Sequence, residues 1–279
     1  MMNKRLWGVV AGAALAALAA VPASAHRQWM MPSSTVLSGD DVWVTVDAAV
    51  SNDLFYFEHQ PLRLDAMKAW APDGTEAAIE NKATGRYRST FDVHLTKKGT
   101  WRIGSATDML MGSYDLNGKT ERLPRGTTAA NLAERLPAGA TNVRAAEANN
   151  RNEIFVTVGE PTTTLFKPTG KGIELVPVTH PNDLFAGEAT IFQFLLDGKP
   201  APGLPVTVIP GGIRYRDQLG QMDLKTDAES KVEVMWPEPG MYWLNVMTPR
   251  SEREAGEGGA PPPPTRRASY VTTLEVMAP

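Results

Sequence analysis

The chain has 279 residues, a formal net charge of −3 and no cysteine. The lack of cysteine excludes thiolate metal sites, thiol catalysis and c-type haem attachment, and the slightly acidic balance offers no basic face of the kind a nucleic-acid binder needs. With 24 glycines, 22 prolines and 8% aromatic residues dispersed along it, the composition is that of a turn-rich β protein.

Residues 1–25 have the three-part form of an export signal. Lys4 and Arg5 give a positive start, residues 6–21 form an Ala-rich apolar run short for a membrane span, Pro22 breaks it, and Ala23-Ser24-Ala25 is a small-x-small cleavage triplet. The expectation is a periplasmic protein that does not itself span a membrane after processing. A cut after Ala25 leaves His26 at the new N-terminus. One residue then offers two nitrogens, the α-amine and the imidazole, which together chelate a transition metal.

Beyond His26 the pattern is strands and turns. Residues 42–47 (Val42-Trp43-Val44-Thr45-Val46-Asp47) alternate with period two and are β-branched. Residues 54–57 are an apolar run that leads into Glu58-His59-Gln60-Pro61, where Pro61 predicts a loop. Residues 86–95 alternate, and residues 101–104 and 109–114 read as two further short strands. Residues 127–136 are predicted to be the one helix, with Leu132 and Leu136 four apart and Pro137 as its stop. Residues 153–158 close the first half as a strand. The polar stretch 160–172, with Pro161, Pro168 and Gly170, is predicted to be a linker between an N-terminal β-sandwich domain at residues 26–159 and a C-terminal immunoglobulin-like β-sandwich domain at residues 173–279. In that second half, strands are expected at residues 173–178, 189–196, 204–209, 221–226, 231–236, 241–247 and 269–276, with Asp197-Gly198 as a hairpin turn. Residues 251–268 hold four consecutive prolines and several glycines, and are expected to be a disordered surface loop. The predicted class is all-β: two β-sandwiches, immunoglobulin-like or transthyretin-like, with one short helix.

Several stretches carry a family resemblance: Gly172-Ile173-Glu174-Leu175-Val176-Pro177-Val178-Thr179-His180-Pro181, Phe194-Leu195-Leu196-Asp197-Gly198-Lys199-Pro200, Thr226-Asp227-Ala228-Glu229-Ser230-Lys231-Val232, and the start His26-Arg27-Gln28-Trp29 with Pro32-Ser33-Ser34. In these the chain resembles a periplasmic family of unknown function once named for nickel uptake, whose members are often labelled periplasmic components of cobalt or nickel transport. The resemblance implies metal handling in the cell envelope, and no catalytic residues come with it.

Without cysteine, a site for nickel, cobalt or copper has to draw on the four histidines, on carboxylates, on methionine and on the terminal amine. His26 is the first candidate, since its α-amine has a pKa of about 8 and can lose its proton near neutral pH. His59 sits beside aromatics on the predicted loop, with Glu58 as a ligand or an orienting carboxylate. Asp92 and His94 are two apart on a strand, project from one face, and could act as a ligand with its orienter. His180 reads as a turn residue held by local hydrogen bonds, Met30 and Met31 as core, and Arg214-Tyr215-Arg216-Asp217 as a solvated cationic hairpin tip. No phosphate loop, nucleophile elbow or HExxH motif is present. The favoured function is therefore a non-catalytic periplasmic protein that binds nickel, cobalt or copper and serves a membrane transporter or outer-membrane receptor. The alternatives are an envelope adhesion module for a polysaccharide or receptor, and a copper oxidase built on the same histidine start.

Overall fold

The structure, a computed structural model, describes residues 26–248 and 266–279. The expected export signal and most of the expected loop at residues 251–268 lie outside the described residues. Among the described residues no helix is long and apolar enough to cross a membrane.

The fold is all-β and consists of two sandwiches that share a layer. The shared layer is a ten-stranded sheet whose strands run in the order Met222–Lys225, Pro205–Pro210, Gly240–Met247, Arg267–Val276, Thr141–Val158, Gly99–Leu116, Lys68–Trp70 and Glu76–Ala77, with Lys119–Arg122 and Val36–Leu37 added at the sides. Its seam is Thr141–Val158, antiparallel to Gly99–Leu116 and parallel to Arg267–Val276. A five-stranded sheet, in the order Arg27–Pro32, Val42–Ser51, Ser89–Leu95 and Glu80–Thr84 with Gln60–Pro61 on Val42–Ser51, belongs to the first half. A four-stranded sheet built on Ile173–Pro177, Ala189–Leu196, Lys199–Pro200 and Lys231–Met235 belongs to the second.

Alternation along the strands builds the cores. Val42, Val44 and Val46 are buried, while Trp43 and Thr45 are exposed. The seam strand serves both halves: Ile154 and Val156 join the first core with Phe91, Val93, Trp101 and Ile103, and Phe155 between them joins the second with Phe192, Phe194, Trp236 and Tyr270. A third cluster of Trp29, Ala49, Leu54, Ile209, Trp243 and Val271 ties the N-terminal strand to the second half. The predicted turn at Asp197-Gly198 forms, with φ of 53° and 73° at its two central residues and Leu196 opposite Lys199.

Three segments differ from the sequence expectation. The two short strands expected at residues 101–104 and 109–114 are parts of one 18-residue strand, Gly99–Leu116. Its outer half is only partly buried, so pairing with Thr141–Val158 rather than an apolar face holds it. The helix shrinks from residues 127–136 to Leu132–Arg135. The Thr127 hydroxyl donates to the Pro124 carbonyl, and Thr128 and Asn131 exchange side chain–backbone hydrogen bonds, so these residues stay in turns. The stretch expected to be a linker is packed: Leu165 and Phe166 are buried in a short 3-10 turn, and Thr162 exchanges two hydrogen bonds with Thr100.

That packing places His180 in a closed ring of hydrogen bonds between the halves. Its Nδ1 accepts the Asn182 backbone N–H at 3.1 Å and its Nε2 lies 3.0 Å from the Thr100 hydroxyl. The Thr100 hydroxyl meets that of Thr157, which donates to Asn182 Oδ1. Burial holds the His180 imidazole below its usual pKa, against weaker opposing effects from the Thr162 backbone and the Asp183 charge. Protonation would put a hydrogen on Nδ1 facing the Asn182 N–H. Because the folded-state pKa is depressed, the unfolded chain takes up a proton that the folded chain resists, and stability falls as pH drops below about 6.5. Melting temperatures followed from neutral to acidic pH should therefore fall more steeply for the wild type than for His180→Asn. Parallel curves would refute the assignment.

Candidate metal centre

His26 and His59 arrive at one place because both flank the end of the same strand. Gln28 pairs with Val50 on one side of Val42–Ser51, and Gln60 pairs with Val50 on the other. The two imidazoles, both on exposed residues, stack with centroids 3.6 Å apart and an interplanar angle of 2°. Among the described residues there is no group of three or more His, Cys, Asp or Glu side chains that could hold a metal ion. The donor set at this point is thus two imidazoles, with the His26 α-amine as a third nitrogen if the chain is cut after Ala25. In the parallel arrangement the ring lone pairs lie in separate planes and do not converge. Metal–nitrogen bonds of about 2.0 Å from both rings require one ring to turn, and the exposure of both residues leaves room for that.

The loop over residues 52–58 builds the rest of the site. Glu58 Oε1 accepts the backbone N–H groups of Asn52 and Asp53 at 3.0 and 2.8 Å, and its Oε2 accepts from Arg214 Nη2 at 2.9 Å. The Asp53 backbone hydrogen bond is the main reason the Glu58 carboxyl lies below the usual carboxylate range, with Arg214 adding to it. Glu58 thus serves three donors, two from its own loop and one from Arg214, and is a fastener of the loop rather than a free ligand. Arg214 Nε also donates to Asp53 Oδ2 at 3.0 Å, and its guanidinium lies 4.2 Å from the Tyr56 ring centroid. On the strand side, Arg27 Nη1 donates to the Asn52 carbonyl at 2.7 Å. Phe55 adopts φ of 65°, a left-handed conformation that costs a bulky residue about 1–3 kcal/mol. Its ring lies edge-on to Trp29 at 5.4 Å and covers Gly211, where a Cβ would come within 2.9 Å of it. Only glycine leaves that space.

Asp92 and His94 do not join this site. His94 pairs with Trp43 and Arg27 with Ser51, eight residues apart along the same strand, which is about 27 Å at 3.4 Å per residue. There the His94 ring stacks on Trp43 and bonds Asp41 at 2.7 Å, while Asp92 accepts from Thr45 and Asn81. Those two hydrogen bonds, Thr45 first, hold the Asp92 carboxyl low. The cationic stretch 214–217 is exposed at Arg214, Tyr215 and Asp217, as a solvated tip would be, but both of its arginines are engaged. Arg216 donates to the carbonyls of Pro210, Gly211, Gln218 and Leu219 and so folds the loop that presents Arg214 to Asp53 and Glu58.

Residues 23–250 match a family described as a domain of unknown function, DUF4198. The chain belongs to this family. The DUF4198 match takes in the first sandwich, the second up to its last strand Arg267–Val276, the histidine pair and Arg214. No curated protein matches the chain. Among solved structures the DUF4198 chain is similar to the D0-D1 domain of intimin at 13% identity and a TM-score of 0.22, covering 88% of this chain and 97% of that one. It is also similar to the human OSCAR ligand-binding domain at 11% identity and a TM-score of 0.20, covering 91% and 100%. A Salmonella alpha-2-macroglobulin mutant aligns at 16% identity and a TM-score of 0.23, over 90% of this chain and 15% of that one. Superpositions this loose carry no functional argument.

Proposed function

We propose that this DUF4198 protein is an exported, non-catalytic transition-metal-binding protein of the cell envelope, in which the α-amine and imidazole of His26 and the imidazole of His59 hold nickel, cobalt or copper. The observation that carries the reading is the 3.6 Å contact between the His26 and His59 rings, made across the end of one strand by residues 33 positions apart in the sequence. Nitrogen donors of this kind suit square-planar Cu(II) or Ni(II). The resemblance to the family once named for nickel uptake supports the same reading, with a membrane transporter or outer-membrane receptor as recipient of the metal.

The test is calorimetric titration of Cu(II) and Ni(II) into signal-processed protein whose N-terminus is fixed by mass spectrometry. His26→Ala, His59→Ala and a Met-extended form that buries the amine in a peptide bond should each bind more than about tenfold more weakly, a difference of about 1.4 kcal/mol. Asp92→Ala and His94→Ala should bind as the wild type does. Affinity should fall with pH as protons compete for the nitrogens. Equal affinity of the processed and Met-extended forms would remove the amine from the site. Absence of stoichiometric binding in the processed wild type would put the adhesion-module reading in front.

A further inference from the structure

The loop that carries His59 is clamped by a residue 156 positions away from Glu58. We propose that Arg214, supplied by the second half of the chain, is a positioning residue for the His26–His59 pair: by fastening the loop over residues 52–58 it holds the two rings side by side.

The argument starts from charge. The loop turns back on itself, with Glu58 accepting the Asp53 backbone N–H, so that two carboxylates, Asp53 and Glu58, stand at its mouth. Left alone they repel. A planar guanidinium presents N–H donors on more than one edge and can hold both at once, and Arg214 does so with Nε on Asp53 and Nη2 on Glu58. The guanidinium also covers the Tyr56 ring, a cation–π contact that fixes the middle of the loop. The same two loops interlock a second time where Phe55 lies over Gly211.

The consequence for the histidines follows from connectivity. His59 is the residue after Glu58, and His26 is the residue before Arg27, which bonds the Asn52 carbonyl at the other end of the loop. Each imidazole is therefore one residue from a group that grips the 52–58 loop. If Arg214 releases Asp53 and Glu58, the His59 end is free to move while His26 stays tied to the strand that begins at Arg27, and the rings part. This role concerns the pair itself; its effect on metal affinity rests on the proposed function.

The experiment is two-dimensional NMR of the histidine ring protons in metal-free, signal-processed protein, with circular dichroism to confirm folding of each variant. The wild type should show an inter-ring Overhauser effect between His26 and His59. Arg214→Ala should lose it and shift both sets of ring resonances, while Arg214→Lys should recover part of it. Glu58→Gln keeps an acceptor for the Asn52 and Asp53 N–H groups but weakens the hold of Arg214, and should give an intermediate result. In parallel, Cu(II) affinity should fall about tenfold or more in Arg214→Ala, as expected when a group that orients a ligand is lost, with a changed Cu(II) spectrum and partial rescue by lysine. An Arg214→Ala protein that keeps the inter-ring effect and the wild-type ring resonances overturns the assignment, and so does a wild type that lacks the effect. If the effect depends on Arg214 but no form binds Cu(II), the positioning role stands and the metal reading falls.

Discussion

Replacing Trp29 with alanine is expected to cost about 3–5 kcal/mol of folding stability, the range for removing a large aromatic side chain from a packed core. Trp29 has no exposed surface and belongs to the cluster that joins the N-terminal strand to Ile209, Trp243 and Val271 of the second half. Its indole N–H donates to the Ser51 hydroxyl at 2.8 Å, and that hydroxyl in turn donates to the Asp53 carbonyl, where the 52–58 loop begins. Phe55 and Phe57 pack against the same ring at 5.4 and 5.5 Å. The cavity would therefore open directly beneath the loop that carries His59, so the loss of stability should come with separation of the histidine rings. Trp29→Phe keeps much of the apolar contact but leaves Ser51 without the indole donor, and should lose only about 1–2 kcal/mol. Urea unfolding of the three proteins measures this; a Trp29→Ala deficit below about 1 kcal/mol would mean that the junction cluster repacks and does not join the halves.

What the sequence reveals of this molecule follows from the range of the interaction concerned. The all-β class is legible because burial on one face writes itself into alternation, as in Val42-Trp43-Val44-Thr45-Val46, and because Asp197-Gly198 has the local chemistry of a tight turn. The outer half of Gly99–Leu116 is not legible, since a strand held mainly by its partner carries no apolar period. The extended helix expected at residues 127–136 fails for a local reason: Thr127, Thr128 and Asn131 bond their own neighbouring backbone and hold it in turns. At the site, the histidine pair is half legible. His26 and His59 stand out as nitrogen donors, but their meeting depends on both flanking Val50, which is a matter of sheet order. Asp92 and His94 share a face as their spacing implies, yet the antiparallel register carries that face to the opposite end of the strand. Arg214 is the residue that pattern reading passes over. The signal is Asp53 and Glu58, two acidic residues flanking an aromatic run, and a cationic stretch after Pro210-Gly211-Gly212, but only the fold pairs them.

Arg151→Met should be as damaging as the loss of Trp29, by a different route. Arg151 is 12% exposed and faces Glu174 at 3.2 Å and Glu153 at 3.6 Å, which are themselves 6% and 7% exposed. Glu174 draws on the stretch between the halves: it accepts from the Thr169 backbone and hydroxyl and from the Gly170 backbone. Glu153 has less support, since its other cation, Arg102, is 3.9 Å away. Methionine fills the volume of the arginine stem but leaves two buried carboxylates without their shared cation. Breaking a buried pair in this way costs about 3–5 kcal/mol, most of it the penalty of the charge left behind. If that is the source of the loss, removing a stranded charge should return part of it, so Arg151→Met combined with Glu153→Gln should be more stable than Arg151→Met alone. Chemical denaturation of the single and double variants separates this from a packing effect. A double variant that is less stable than Arg151→Met by the full cost of a second lesion would show that Glu153 is sustained by Arg102 and that Arg151 serves the Glu174 side alone.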